Sequence, residues 1–320
     1  MRILFWATPD FAVPSFHALL GEGHEIVAVV TQPDRPAGRG REVRPPPIKT
    51  IAHEQMIPIF QPERARDASF IREARARAPD ISVVIAYGQI LSRELLEIPT
   101  VGSINAHASL LPELRGAAPI NWAIARGYTT TGVTIMRMVE KMDAGPILLQ
   151  VEEPIGADET ASDLWMRLSE ISAEALIETL ALIESGAASE RPQDEARATY
   201  APRITREHTR VDWSADAVTI ANLVRGMDAV PGAWTTHRNA ELKVFRPAAL
   251  KDRQHDAPPG SILDASGIDP EDGVVVACGG GAVGLREVQP TGKRRMTASE
   301  WLRGRGATVG EQLGGPSFDV

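Results

Sequence analysis

Apolar positions in the first half of the chain fall in short continuous runs, and helical patterns fill the gaps between them. Ile3 to Ala7, Glu25 to Thr31 and Ile81 to Ala86 are the clearest runs, almost unbroken in Val, Ile, Leu and Ala. Runs without alternation mark strands buried on both faces, as in a parallel sheet. Between the first two, Asp10 or Pro14 opens a helix that reaches about Leu20, and Gly21 and Gly23 punctuate it. Strand, helix and strand in so short a span form a βαβ unit. Further helices are predicted at Ile48 to Gln55, Ser69 to Arg77, Ser92 to Leu96 and Pro119 to Arg126, with strands at Ile57 to Phe60, Val101 to Ile104 and Ile147 to Val151. Thr131 to Val139 alternates, which predicts a strand with one face toward water. Leu164, Leu168, Ile171, Leu176, Leu180 and Ile183 recur at helical spacing, so Thr160 to Ser185 is expected to be one long amphipathic helix. The pattern predicts an α/β fold, a doubly wound Rossmann-like domain with a mostly parallel sheet over residues 1–190.

The pattern changes after that. Glu190 to Arg197 is polar, and residues 191–210 read as a linker. Residues 211–320 then give a helix at Ala215 to Arg225 and short β-like segments at Ala233 to Thr236, Glu241 to Phe245, Gly260 to Asp264, Gly273 to Ala277 and Ala282 to Val288, closed by a helix at Ala298 to Arg303. Short, closely spaced strands with glycine turns predict a small OB-like β-barrel. A chain of 320 residues is long enough for two such domains.

Composition narrows the class. Hydrophobic content of 43% with 24% charged residues is that of a globular enzyme. The single Cys278 excludes a disulfide framework and points to a reducing, cytoplasmic setting; in Val274-Val275-Val276-Ala277-Cys278 it reads as a buried strand end. One Cys and seven scattered His offer no metal-ligand spacing, so no metal is expected. The first apolar run stops at Thr8-Pro9-Asp10, too short for a leader, and nothing approaches the roughly 18 apolar residues of a membrane span.

The net charge of −8 argues at first against a nucleic-acid partner. It is unevenly spread, however: residues 1–200 hold 19 Lys and Arg against 27 Asp and Glu, and residues 201–320 hold 15 of each. Two basic groups stand out. One is Arg35, Arg39, Arg41, Arg44 and Lys49, in or beside a proline-rich loop (Gln32 to Pro47) that is expected to be exposed and irregular; the other is Lys293-Arg294-Arg295. By themselves these are ordinary solvated surface.

The chemistry concentrates in Asn105-Ala106-His107-Ala108-Ser109-Leu110-Leu111-Pro112, with Arg115-Gly116 and then Asp143 downstream. Residues two apart on a strand share a face, so Asn105 and His107 are expected to project together from a strand's C-terminal end, where open parallel sheets place ligands. An amide, an imidazole and a carboxylate suit acyl transfer to an amine. The pair alone is more often a hydrogen-bonded loop anchor, and Asp143 alone a turn residue before Gly145.

Together with its surroundings, this motif resembles the folate-dependent formyltransferases. The resemblance extends through Thr8-Pro9-Asp10-Phe11, Thr31-Gln32-Pro33-Asp34-Arg35-Pro36-Ala37-Gly38-Arg39-Gly40, Arg115 to Ile120, Thr131 to Met136, Tyr200-Ala201-Pro202 and Pro231-Gly232-Ala233-Trp234, and so covers both domains. It implies formyl transfer from 10-formyltetrahydrofolate, as co-substrate, to the methionine on initiator tRNA, by a cytoplasmic monomer. It also implies catalytic roles for Asn105, His107 and Asp143. Folate would be held by Ser109, Leu110, Leu111 and Pro112 and by Ala86, Gly88, Gln89, Ile90 and Leu91. Arg39 and Arg41, with Lys293, Arg294 and Arg295, would contact tRNA phosphates. The sequence departs from the family at Ala7, where glycine is usual, and at Lys141-Met142, where Gly-Leu is common; the second lies in the loop that carries Asp143.

Rival readings share parts of the pattern. A glycinamide-ribonucleotide formyltransferase would lack the second domain and would have a glycine-rich loop after the first strand. An enzyme formylating an amino-sugar nucleotide is a nearer rival, opposed by the Gln32–Gly40 block. A tRNA-binding protein without catalysis would not need Asn105, His107 and Asp143 together.

Overall fold

The computed structural model describes residues 1–37, 42–265 and 273–315. It divides into two units, one made of residues 1–119, 130–154 and 165–201, the other of residues 120–129, 155–164 and those from 202 onward.

The first unit is built on seven strands: β1 (Arg2–Ala7), β2 (Glu25–Val30), β3 (Ile59–Phe60), β4 (Ile81–Ile85), β5 (Gly102–His107), β6 (Thr130–Arg137) and β7 (Ile147–Pro154). Their order across the sheet is β7-β6-β5-β4-β1-β2-β3. β1, β2, β3, β4 and β5 run parallel, whereas β6 and β7 are antiparallel additions at the β5 edge. Helices α1 (Val13–Gly21), α2 (Pro47–Glu54), α3 (Ala68–Ala76) and α4 (Arg93–Leu96) connect the parallel strands. Chain order reverses direction at β1, the arrangement that opens a crevice beyond the strands' C-terminal ends. The continuous apolar runs are explained by burial on both faces: Ile3, Leu4, Phe5 and Trp6 are essentially inaccessible, and Trp6 meets Phe70 and Tyr87 edge to face. Two further helices follow in the chain: α5 (Pro119–Ala125), which after its first residue belongs to the second unit, and α6 (Ala161–Glu184), which belongs to the first unit from residue 165. Leu168, Leu176 and Leu180 of α6 are fully buried.

One strand reading is corrected. β6 does not face water on one side; Thr131 to Met136 are all buried because β5 and β7 flank the strand and both faces are covered. Its two buried polar positions are threonines: Thr131 Oγ1 finds no partner among the described residues, whereas Thr134 is bonded. Thr134 Oγ1 donates to the Ser109 carbonyl at 2.6 Å. The proline-rich loop also holds more order than its composition suggests, since residues 35–37 pair antiparallel with 42–44.

Residues 191–201 belong to the first unit. Arg191 bridges Ile147, and Tyr200–Ala201 pairs in parallel with Arg115–Gly116. Polar side chains of the segment bind backbone and the buried Arg115, and from residue 202 onward the chain belongs to the second unit.

The second unit contains α7 (Ala217–Gly226), β8 (Ala233–His237), β9 (Ala240–Leu250), β10 (Ile262–Asp264), β11 (Val274–Ala277), β12 (Ala282–Pro290), β13 (Met296–Thr297) and α8 (Ala298–Arg303). The strands form an antiparallel sheet in the order β8-β9-β12-β11-β10, with β13 on β12. Trp213, Val224, Val244, Leu285 and Trp301 belong to its core. Cys278 is buried there, and burial pushes its thiol up to about 12, as expected of an inert packing residue.

Candidate active site

The register of β5 sets the site. Asn105 lies opposite Val84 of β4 and Met136 of β6, and His107 opposite Thr134. Both therefore sit in the interior of the sheet at a C-terminal strand end, as their spacing predicts. Asn105 is half-buried, and among the described residues its side-chain amide has no hydrogen-bond partner. His107 is buried, with Nε2 3.0 Å from the Leu114 carbonyl and Nδ1 3.9 Å from Asp143 Oδ2. A carbonyl oxygen only accepts, so Nε2 carries a proton, and Nδ1 is the nitrogen left to exchange one.

The turn after β5 is built to aim that carbonyl. Ser109 Oγ donates to Glu113 O at 2.6 Å, and the Leu111 N–H donates to Thr134 Oγ1 at 3.1 Å. Gln150 Nε2 donates to Leu111 O at 2.8 Å. Leu111 packs with Met136 and Ile147, Pro112 is buried, and Leu114 takes a φ of 58°. Of the predicted folate residues here, Ser109, Leu111 and Pro112 form the frame, and Leu110 is half-buried.

The second predicted segment follows β4. Ala86 and Gly88 have φ of 47° and 92° and are exposed, as is Ile90 at 73%. The intervening Tyr87 carbonyl accepts from Thr8 Oγ1 at 2.9 Å and Gln32 Nε2 at 3.2 Å, which fixes the turn. Leu91 lies in the core. The Gln89 side chain is engaged by the neighbouring loop, accepting from the Ala65 N–H at 2.9 Å.

Asp143 stands in a tight turn with φ of 51°. Its Oδ2 accepts from the Gly116 N–H at 2.8 Å, and Gly116 follows a fully buried Arg115. The Arg115 guanidinium donates to Gln193 Oε1 at 2.7 and 3.1 Å and to Glu195 Oε1 at 2.9 Å. Gln193 Nε2 in turn donates to the carbonyls of Asp143 and Gly145 at 2.9 and 2.7 Å. Lys141 Nζ reaches Glu195 Oε2 at 2.6 Å. Hydrogen bonds from Arg115 and then Lys141 hold the Glu195 carboxyl down at about 2. Sequence reasoning missed Gln193 and Glu195, because a polar stretch looks the same whether it is solvated or bonded to backbone.

The predicted basic contacts divide. Arg39 and Arg41 lie outside the described residues. Lys293 and Arg294 are exposed, Arg294 within 2.9 Å of Glu300. Arg295 is committed internally: it donates to both carboxylate oxygens of Asp228 at 2.7 and 3.0 Å, pairs with Glu287, and lies 4.0 Å over the Phe245 ring. Among the described residues no helix is long and apolar enough to cross a membrane.

Residues 1–180 match the family model described as formyl transferase, and residues 203–306 match that of the formyl transferase C-terminal domain. The methionyl-tRNA formyltransferase of Geotalea uraniireducens is 44% identical over 98% of each chain, and that of Geobacillus thermodenitrificans is 47% identical over 98% of each. Among solved structures, HypX from Aquifex aeolicus in complex with tetrahydrofolic acid superposes with a TM-score of 0.65 at 20% identity, over 98% of this chain and 48% of that one. An N-formyltransferase from Helicobacter canadensis gives 0.67 at 15% identity, over 91% and 99%. At that identity the superpositions speak for the fold, while the site residues and the long, close matches along the whole chain speak for descent. The chain belongs to the formyl transferase family, among the methionyl-tRNA formyltransferases.

Proposed function

We propose that the protein transfers the formyl group of 10-formyltetrahydrofolate to the α-amino group of methionine carried by initiator tRNA. The observation that carries this reading is local: a half-buried amide without a partner among the described residues shares a strand end with an imidazole whose exchangeable nitrogen faces a carboxylate. Relatives bearing the methionyl-tRNA formyltransferase name, at 44% and 47% identity over 98% of the chain, support the choice of substrate.

The chemistry follows from those groups. The neutral amine attacks the formyl carbon, and the carbonyl π electrons move to oxygen. Asn105 Nδ2 donates to that oxygen as its charge develops. The new ammonium gives its proton to His107 Nδ1. The resulting imidazolium donates one N–H to Leu114 O, and its other edge faces the Asp143 carboxylate 3.9 Å away, whose charge favours the cation. The proton then passes to N10 of the folate, the bond from carbon to N10 breaks, and tetrahydrofolate leaves.

Folate binding is assigned to the two predicted segments with a division of labour. Ala86, Gly88 and Ile90 are the exposed contacts of one segment, and Leu110 is the more accessible residue of the other. For tRNA, we propose Arg39, Arg41, Lys293 and Arg294 as phosphate contacts and residues 211–320, read as an OB-like barrel, as the tRNA-binding domain. Arg295 has a different role, holding that domain together.

The test supplies 10-formyltetrahydrofolate with charged initiator tRNA, charged elongator tRNA, glycinamide ribonucleotide or an amino-sugar nucleotide. Formylation of charged initiator tRNA alone is expected; turnover of the sugar nucleotide or ribonucleotide instead of it would overturn the assignment.

A further inference from the structure

We infer that Gln193 is a positioning residue for Asp143, acting through a closed ring of hydrogen bonds that sets where the carboxylate faces His107; the inference rests on the formyl-transfer reading. The ring can be traced bond by bond. The Asp143 carboxylate accepts from the Gly116 N–H at 2.8 Å. Gly116 is joined to Arg115, whose guanidinium donates to Gln193 Oε1 at 2.7 Å. Gln193 Nε2 returns to the backbone of Asp143 at 2.9 Å and also takes Gly145 O at 2.7 Å. Side chain and main chain of one residue are thus gripped from two directions through a single arginine.

Two features show why such a ring is needed. Asp143 occupies the left-handed region, which a non-glycine residue holds only where its surroundings impose it. Its carboxylate also stands 3.9 Å from His107 Nδ1, longer than a direct hydrogen bond, so its value to the imidazolium depends on being held at that distance and angle. A primary amide suits this position because its oxygen accepts from a buried cation while its nitrogen donates to two carbonyls, and no other side chain of that length does both.

Lys141 reinforces the ring: its Nζ reaches Glu195 Oε2 at 2.6 Å, and Glu195 already binds Arg115. The loop carrying Asp143 is thereby tied a second time to the segment that carries Gln193.

The test uses the full-length enzyme in formyl transfer to charged initiator tRNA. Gln193→Met removes the donors with little change of volume. It is expected to lower kcat by about tenfold to a hundredfold, as small misplacements of catalytic groups do, with the KM of both substrates unchanged. In an Asp143→Asn background the same substitution should cost almost nothing further, because it acts only through that carboxylate. Gln193→Glu keeps an acceptor for Arg115 while losing both donors, so it should fail as Gln193→Met does, and it carries the test if the Met variant does not fold. A wild-type kcat in either variant, or a loss repeated in full on top of Asp143→Asn, would overturn the inference. A wild-type enzyme that leaves initiator tRNA unformylated would overturn the function itself, a separate outcome.

Discussion

His107 presents two nitrogens with different duties, and the protein decides which is which. Nε2 is held on a backbone carbonyl, so the proposed mechanism routes proton exchange through Nδ1, the edge that faces Asp143. Asn105 is the complementary case, a donor with no partner among the described residues, which the proposed mechanism uses for charge that exists only during the reaction. Asn105→Ala should therefore lower kcat by roughly 10²–10³, the usual effect of removing one oxyanion donor. The melting temperature should scarcely change; a large fall in it together with activity would mean that the amide is structural. Glu195 makes a prediction of a different kind. Arg115 and Lys141 depress its carboxyl to about 2 from an ordinary 4.5, so its contribution to stability is complete above that ordinary value and is lost as pH falls from there toward 2. Chemical denaturation at pH 7 and pH 3 should show wild type losing more stability on acidification than Glu195→Gln, and equal losses would contradict the pairing. The contrast between these residues explains what could be read beforehand. Asn105 and His107 share a strand face by spacing, and the family resemblance added Asp143 to them, whereas Gln193 and Glu195 act through contacts with residues far away in sequence, which no local spacing encodes.

Elements were legible where burial was uniform and misread where a polar residue hides. The unbroken runs of β1, β2 and β4 and the spacing of α6 were sufficient, because packing on both faces of a sheet or one face of a helix leaves a periodic trace. β6 was misread because Thr131 and Thr134, which lie on opposite faces of the strand, suggest contact with water although both are buried, Thr134 bonded to Ser109 O and Leu111 N. The pairing of residues 115–116 with 200–201 is invisible in sequence since both strands are two residues long. Close approach of backbones adds a glycine requirement there and in the Asp143 loop. A Cβ on Gly145 would overlap the Arg137 carbonyl. Gly145→Ala should thus cost about 1–3 kcal/mol of stability, as overpacking does. It should also reduce kcat, because the loop that has to move carries Asp143 and one of the carbonyls Gln193 holds. Denaturant unfolding and turnover measured on the same variant check both halves. For comparison, Leu176→Ala on the buried face of α6 should cost about 2–5 kcal/mol without affecting kcat/KM at temperatures where the variant is folded.

At the scale of the whole chain the puzzle is an acidic protein acting on a polyanion. The imbalance lies entirely in residues 1–200, while residues 201–320 carry 15 charges of each sign. On the proposed reading, attraction to phosphate comes from local groups whose charge is not already cancelled, and the three adjacent basic residues differ in this. Lys293 is exposed, Arg294 is exposed beside Glu300, and Arg295 is enclosed by Asp228 and Glu287. Neighbours in sequence should then behave oppositely on substitution. Lys293→Ala should weaken tRNA binding and reduce the slope of log affinity against log salt by up to about one. The melting temperature should stay where it was. Arg295→Ala should leave that slope unchanged and destabilise the second unit by on the order of 3 kcal/mol, since it strands a buried Asp228 carboxylate. Binding isotherms at several salt concentrations with a parallel melt decide it: a salt slope that falls for Arg295→Ala and holds for Lys293→Ala would reverse the assignment, and would mean that the internal ion pairs of Arg295 open when tRNA binds.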